Sequence, residues 1–263
     1  MGFAAGFYPW GQHAVTPNTD YRTMQYNLMH QQAGWGPEEL LALGIRTRME
    51  NASLAIRSCA PDILLLAERH DEWEGLEALL GPDYSFVQDR ITRDGVTAFN
   101  RTPIAYRTGT FRCVESGFLK LTEEADFLSS NNKRGVTWAI LEDISGRPSA
   151  GRRVAVFCTH WSAGASLEDY RVRQSGEMRD LINETRQGVY ADIPCIVGGD
   201  FNSTFGTAAY QSLITGCGLQ DADTNPNRID RISLSGATAG AFACVRVLNV
   251  SDHNPVYCDI FIP

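Results

Sequence analysis

Three short runs in this chain are apolar at every position. They are Ile63-Leu-Leu-Leu66 (within a strand expected over 62–66), Val154-Ala-Val-Phe-Cys158 and Cys195-Ile-Val197. A strand with one wet face alternates apolar and polar residues, so an unbroken apolar run of this length reads as a strand covered on both faces. Such strands need packed layers on either side of them. Between the runs lie segments with helical periodicity: one opening at Pro37 and running to about Ser58, one at 71–80, a long one from about Ser166 to Gln187, and one near 207–215. Proline at the start of the first suits the opening turn of a helix. Its expected inward side is Leu40, Leu41, Ile45, Met49 and Leu54 or Ile56, and that of the long helix is Leu167, Tyr170, Met178, Leu181 and Ile182.

The remaining strand signals fall at 21–29, 84–88, 103–108, 111–119, 135–143, 152–159, 193–197, 230–235, 242–249 and 254–261. In the first of these Met24, Tyr26 and Leu28 share a face. A polar, Asn/Ser-rich linker is expected at 121–133, and Gly146-Arg-Pro-Ser marks a turn. Residues 1–20, rich in Gly, Pro and aromatics without a period, read as an irregular arm. Strands and helices mixed in one series, with no internal repeat, predict a single α/β domain over 21–263: a sheet-on-sheet core with helices outside.

The 263 residues carry a formal net charge of −8. That argues against a broad basic surface for nucleic acid, which stays possible as a substrate but is not indicated by charge. It does not argue against a phosphorylated substrate, because a bound divalent cation supplies positive charge locally. No apolar run approaches the roughly 20 residues of a membrane span, and a monomer is favoured. The seven cysteines are single and unpatterned. They argue against a zinc knuckle and lean towards a reducing compartment. No charged-then-apolar signal segment opens the sequence; a secreted form whose signal has been removed is the alternative.

Polar groups of a particular kind stand at the ends of these strands. Ile196-Val-Gly-Gly-Asp-Phe-Asn202 leaves a buried strand through two glycines, which permit close backbone approach, into Asp200 and Asn202. Alternation puts these two on one face, although Asx residues in a turn give the same pattern. Ser251-Asp252-His253 precedes the final strand signal, where a carboxylate beside an imidazole suits metal or phosphate binding. His160 ends the strand at 152–159, Glu68 follows the Ile63 run, Asn27 sits near the end of the first strand, and Asp230 opens another. Singly each is as readily a polar loop or cap as a ligand.

In this order and spacing, Asn27, Glu68, Thr159-His160, Gly199-Asp-Phe-Asn202, Asp230-Arg-Ile232 and Ser251-Asp-His253 resemble the endonuclease/exonuclease/phosphatase superfamily, over about residues 21–262. The resemblance implies a four-layer α/β sandwich of the deoxyribonuclease type and Mg²⁺-dependent (or Mn²⁺-dependent) attack of water on a phosphoester. The leading expectation is a phosphodiester, nuclease-like or a small phosphodiester or phospholipid headgroup; a sugar or inositol phosphomonoester is the second. An inactive member serving as a binding module is the competing class. The resemblance implies Glu68, Asn27 and Asp252 as metal ligands. It gives Asp200 the attacking water, Asn202 a phosphate oxygen, His253 the phosphate with Asp230 orienting it, and His160 the developing charge or the leaving oxygen. The usual Gln before the metal Glu is Ala67 here, and Asn100 stands nearest to the Glu that supports the first histidine in deoxyribonucleases. Arg69, His70 and Trp161 are further candidates for substrate contact, each equally readable as a loop or core residue.

Overall fold

The computed structural model describes residues 19–30, 37–88, 90–93, 96–123 and 134–263. Two six-stranded mixed sheets pack face to face, and helices cover their outer faces. This is the four-layer α/β sandwich that the apolar runs demand.

The first sheet has the order β13-β14-β1-β2-β6-β3. These strands are Thr238–Cys244, Val256–Phe261, Tyr21–Asn27, Ile63–Ala67, Ile104–Arg107 and Tyr84–Val87. The second has the order β11-β12-β10-β9-β8-β7. Its strands are Gln220–Asp221, Asp230–Ser235, Cys195–Asp200, Arg153–His160, Gly135–Asp143 and Phe111–Lys120. A small hairpin, β4 (Arg90–Arg93) and β5 (Val96–Phe99), stands apart from both.

Each sheet holds one parallel pair whose crossover runs through helix. β1 and β2 are joined through α1 (Glu38–Ala42) and α2 (Ile45–Cys59), and β9 and β10 through α4 (Glu168–Thr185). Parallel neighbours need such a crossover. β2, β9 and β10 contain the apolar runs; β2 and β10 are buried along their whole length and β9 at every residue but its first. Between the sheets, Ile63, Leu65, Val156, Cys158, Ile196, Ile232 and Val256 form the central core. On the outer face of the first sheet Met24, Tyr26, Leu28, Leu64 and Leu66 meet Ala52, Ala55 and Ile56 of α2 and Leu76 and Leu80 of α3 (Leu76–Leu80). The other outer layer packs Phe157, Cys195 and Val197 against Met178 and Ile182 of α4 and Leu213 of α5 (Ala208–Cys217). Each fully buried aliphatic side chain contributes about 1.5–3 kcal/mol.

Several boundaries differ from the sequence reading. The helix expected from Pro37 to Ser58 is two helices, because Gly44 adopts φ +73° and breaks the hydrogen-bond ladder. Gly75, at φ +103°, divides the segment expected at 71–80 into a 3-10 turn at Asp71–Trp73 and α3. The strand expected at 242–249 ends at Cys244 and begins earlier, at Thr238, with a register irregularity between Ala239 and Phe242. The hairpin β4–β5 was not expected. Most of the arm at 1–20 and of the linker at 121–133 lies outside the described residues.

Candidate active site

β1 and β2 run parallel, as do β9 and β10, and both pairs bring their carboxyl ends to one end of the sandwich, where Asn27 meets Asp200 and His160 lies near Glu68. β1 packs across β10 and β2 across β9. The carboxyl ends of parallel strands are where α/β sheets place ligands, since the backbone leaves the sheet there and side chains project from loops. Asn27 ends β1, Glu68 follows β2, His160 ends β9 and Asp200 ends β10. In the second sheet Asp200 lies level with His160 on one side and with Asp230 on the other. Three chemically active side chains are thereby set in a row by strand register alone.

The local backbone fits this purpose. Gly199 sits at φ +149°, and a Cβ there would lie 2.1 Å from the Thr159 carbonyl oxygen. Any other residue would push β10 off β9 at the point where Asp200 and His160 are presented. Glu68 and Asn202 occupy the left-handed region, at φ +58° and +46°. That conformation is uncommon for residues with a side chain and concentrates at functional turns. It ends strand alternation, so Asp200 and Asn202 are related by a turn and not by a shared strand face: the Asn202 N–H donates to Asp200 Oδ1 at 2.9 Å. The Asn202 amide donates to the Trp161 carbonyl at 3.0 Å.

Hydrogen bonds tie the two sheets together here. Asn27 Nδ2 donates to Glu68 Oε1 at 3.1 Å and to Asp200 Oδ2 at 2.9 Å. His160 Nε2 lies 3.6 Å from Asp200 Oδ2 and 3.9 Å from Glu68 Oε1. His253 Nδ1 is 2.6 Å from Asp230 Oδ2 and 3.9 Å from Asp200 Oδ2. The backbone N–H of His30 donates to Glu68 Oε2 at 2.7 Å. Gln25, two residues before Asn27 on the inner face of β1, reaches across to Asp230 Oδ1 at 3.0 Å.

Burial, together with the neighbouring Asp230 charge, pushes Asp200 up to about 7, against the pull of His253 and the hydrogen bonds from Asn202 and Asn27. For His253 burial works against the charged form, but the hydrogen bond and charge of Asp230 outweigh it and raise the imidazole to about 10. His160 is held well below the usual histidine value by burial, then by the Arg134 and His253 charges. The site thus holds one charged and one neutral imidazole.

Three carboxylates, those of Glu68, Asp200 and Asp230, converge here. Among the described residues no lysine or arginine forms an ion pair with any of them. Hard oxygen donors gathered without a basic partner suit a Mg²⁺-type cation, and Asp200, Asp230 and His253 present ligand atoms within 4.8 Å of one another. As placed, Asn27 turns its amide nitrogen to Glu68 while its oxygen accepts the Met29 N–H at 2.9 Å; ligation by Asn27 requires the amide to turn over. Asp252 is exposed, and its charge acts on His253 and Arg48.

The structure brings Asn27, Glu68, His160, Asp200, Asp230 and His253 together, and sets three other candidates elsewhere. Arg69 is fully buried, ion-paired with Glu77 and stacked over Phe86 at 5.5 Å, so it is not available to a substrate. The left-handed turn at Glu68 sends it under the sheet. Trp161 is fully buried, edge-on to Phe201 with centroids 4.9 Å apart; it is a core residue, not a stacking face. Asn100 is buried and donates to Thr137 Oγ1 at 2.7 Å while accepting the Thr102 N–H, so it braces a turn and does not support His160. Sequence reasoning missed Gln25, His30 and Arg101. Gln25 was signalled by Thr23-x-Gln25-x-Asn27, a polar inner face on a buried strand.

A model of the endonuclease/exonuclease/phosphatase family matches residues 24–253. The chain belongs to that family, which is one of hydrolytic phosphoester enzymes. No curated protein sequence matches the chain. Among solved structures it is similar to a family member from Bacteroides vulgatus, with TM-score 0.73 and 22% identity over 92% of this chain and 99% of that one. A mannosyl-6-phosphatase from Bacteroides thetaiotaomicron gives TM-score 0.72 and 20% identity, covering 92% and 99%. The human Nocturnin catalytic domain with bound sulfate gives 0.74 and 21%, covering 95% and 96%. These likenesses establish the deoxyribonuclease-type fold. Among the described residues, no helix is long and apolar enough to cross a membrane.

Proposed function

We propose that this chain is a divalent-metal-dependent phosphoesterase in which a water molecule attacks phosphorus. The observation that carries the reading is the convergence of Glu68, Asp200 and Asp230 with the imidazoles of His160 and His253, with no lysine or arginine ion-paired to these carboxylates among the described residues. Glu68 and Asp252, with Asn27 once its amide turns, would hold Mg²⁺ or Mn²⁺. When bound, the cation supplies the positive charge that offsets charge developing on the phosphoryl oxygens.

The protein's own groups divide the remaining work. Asp200, raised towards neutrality, is suited to orient the attacking water and accept its proton. His253, kept charged by Asp230, donates to a phosphoryl oxygen. Asn202 lies beside Asp200, where its amide can hold a second oxygen. The neutral ring of His160 donates towards the leaving oxygen. A phosphodiester is the first reading of the substrate, and a sugar or inositol phosphomonoester is the second. The second is favoured by two arginines, Arg101 level with Glu68 and Arg134 next to the level of His160, whose charges both act on His160. Nucleic acid is a substrate class the acidic balance does not favour, and a monomer is sufficient because one chain supplies every group.

The test is hydrolysis of bis-(p-nitrophenyl) phosphate and p-nitrophenyl phosphate with Mg²⁺ or Mn²⁺, beside EDTA-treated protein and Asp200→Ala. Metal-dependent turnover abolished by both treatments is expected. Equal rates in every condition would falsify the enzyme reading and favour a binding module.

A further inference from the structure

Strand register delivers two arginines to the site that the chemistry above leaves unused. β2 and β6 are antiparallel with Leu65 opposite Ile104. Continued beyond the strand ends, this register sets Glu68 level with Arg101, and the Arg69 N–H donates to the Arg101 carbonyl at 3.2 Å. In the other sheet Val136 lies opposite Thr159, so Arg134 comes level with Trp161, one residue past His160. One arginine therefore flanks the metal-ligand carboxylate from the first sheet, and the other flanks the histidine from the second.

Their surroundings hold them in place. The Arg101 guanidinium lies against the His70 ring, 2.5 Å from Nε2. His70 stacks on His30 with centroids 3.8 Å apart and planes at 19°, and His30 Nδ1 is 2.7 Å from Glu72 Oε1. Arg134 is 1% exposed. Its backbone is pinned by Glu123 Oε1, which accepts its N–H at 2.8 Å, and by Leu121, whose N–H reaches its carbonyl at 3.2 Å. The two guanidinium charges act on each other and on the histidines. Burial, reinforced by the Arg134 charge and opposed by the carboxylates Asp71, Glu72 and Glu68, lowers Arg101 to about 10; His160 feels both arginines. Two like charges brought together at a partly buried site are unfavourable for the empty protein and favourable once an anion lies between them.

The ester classes differ in the charge they bring. The phosphate of an internal diester carries one negative charge, whereas a terminal phosphate carries close to two at neutral pH. Of the side chains already assigned to the phosphate, one, His253, is held charged. Guanidinium forks match the oxygens of a phosphoryl group with parallel hydrogen bonds.

We propose that Arg101 and Arg134 form a subsite for the second negative charge of a terminal phosphate, making phosphomonoester dianions the preferred substrates of this site. The proposal rests on the phosphoesterase reading for where the phosphate sits. Arg101, partly exposed, is the specificity-determining member. Arg134, buried, acts through its charge on His160 and Arg101.

The test is binding to the Mg²⁺-loaded protein, by calorimetry at alkaline pH, of benzylphosphonate, a dianion, and its monomethyl ester, a monoanion. Wild type should bind the dianion tighter by about tenfold or more, as a charge-assisted contact of about 1.4 kcal/mol gives. Arg101→Gln should remove most of that difference while changing affinity for the monoanion by less than about twofold. Arg101→Lys keeps the charge and loses the fork, so it should weaken the dianion several-fold more than the monoanion; it serves if the glutamine variant fails to fold. No preference in wild type, or an equal loss for both ligands, overturns the proposal. Arg101-dependent dianion binding without turnover of either nitrophenyl ester would sink the phosphoesterase reading and leave the subsite standing. Turnover with no Arg101-dependent discrimination would do the reverse.

Discussion

The two ends of the sandwich handle buried charge in opposite ways. At the end away from the site, Arg22 at the start of β1 meets Asp259 of β14 through two hydrogen bonds, 2.6 and 3.0 Å, and donates a third to the Cys59 carbonyl at 2.9 Å. Asp62 accepts the Arg22 N–H and the Thr110 hydroxyl. Asp143 accepts from Tyr21, Ser145 and Ser149. Each carboxylate there has a donor or an opposite charge, the condition under which burial of a charge is tolerated. At the other end, among the described residues, Glu68, Asp200 and Asp230 crowd together with amides and imidazoles and form no ion pair with lysine or arginine. One end of each strand holds the layers together; the other holds a deficit of positive charge that metal and substrate can relieve. Stability and activity should therefore separate along the strands.

The largest separation is expected at Asp200. Asp200→Asn should lower kcat by about 10³-fold without lowering the melting temperature, since it removes one of two opposed carboxylates. A melt several degrees lower would show that Asp200 is a structural acid like Asp259. Arg22→Met probes the opposite end. It strands the buried Asp259 carboxylate and should cost about 3–5 kcal/mol in denaturant unfolding, with turnover per folded molecule unchanged; a loss of kcat with intact stability would erase the distinction between the ends.

A smaller effect is expected from the cation. Saturating Mg²⁺ should stabilise the native protein by about 1–3 kcal/mol through selective binding. The gain should vanish in Glu68→Gln and persist in Arg22→Met, and a gain of equal size in Glu68→Gln would move the cation off this site. The smallest concerns acid. Burial favours the neutral form of Asp143, but the hydrogen bonds from Ser145, Ser149 and Tyr21 outweigh it and hold its pKa below the ordinary value. A depressed carboxylate contributes stability that is complete above its unfolded value of about 3.9 and is lost as pH falls through the folded value. Ser149→Ala should remove about 1 kcal/mol and move acid unfolding to higher pH; an unchanged acid midpoint would argue that Asp143 carries little of the load.

The legible part of this molecule is the part that follows strand geometry. The apolar runs of β2 and β10 called for cover on both faces, and the polar residues at their exits, Glu68 and Asp200, emerge at one end, where Asn27 donates to both. What sequence spacing missed lies where alternation stops. Glu68 and Asn202 turn through left-handed backbone, so Arg69 goes under the sheet and Asn202 reaches the Trp161 carbonyl. Trp161 follows β9 into the core because the Trp161 N–H bonds the Asp200 carbonyl at 2.9 Å, which continues the pairing one residue past His160. Gly44 and Gly75 broke helices that apolar periodicity had read as continuous. Arg101 could not be found from its neighbours at all, because what brings it to Glu68 is the register between β2 and β6.

β1 lies between β2 and β14, and the loop that delivers Asp252 and His253 immediately precedes β14. A chain emerging from the ribosome thus makes Asn27 and Glu68 early, and Asp200 and Asp230 well before the imidazole that completes the group. One edge of β1 stays unpaired until β14 arrives from the far end of the sequence, and contacts so distant along the chain form late and slowly. The sheet that carries Asn27 and Glu68 is consequently paired on both sides of β1 only once synthesis has passed β14. A fragment ending just before β14 would carry every site residue named above and yet leave one edge of β1 open.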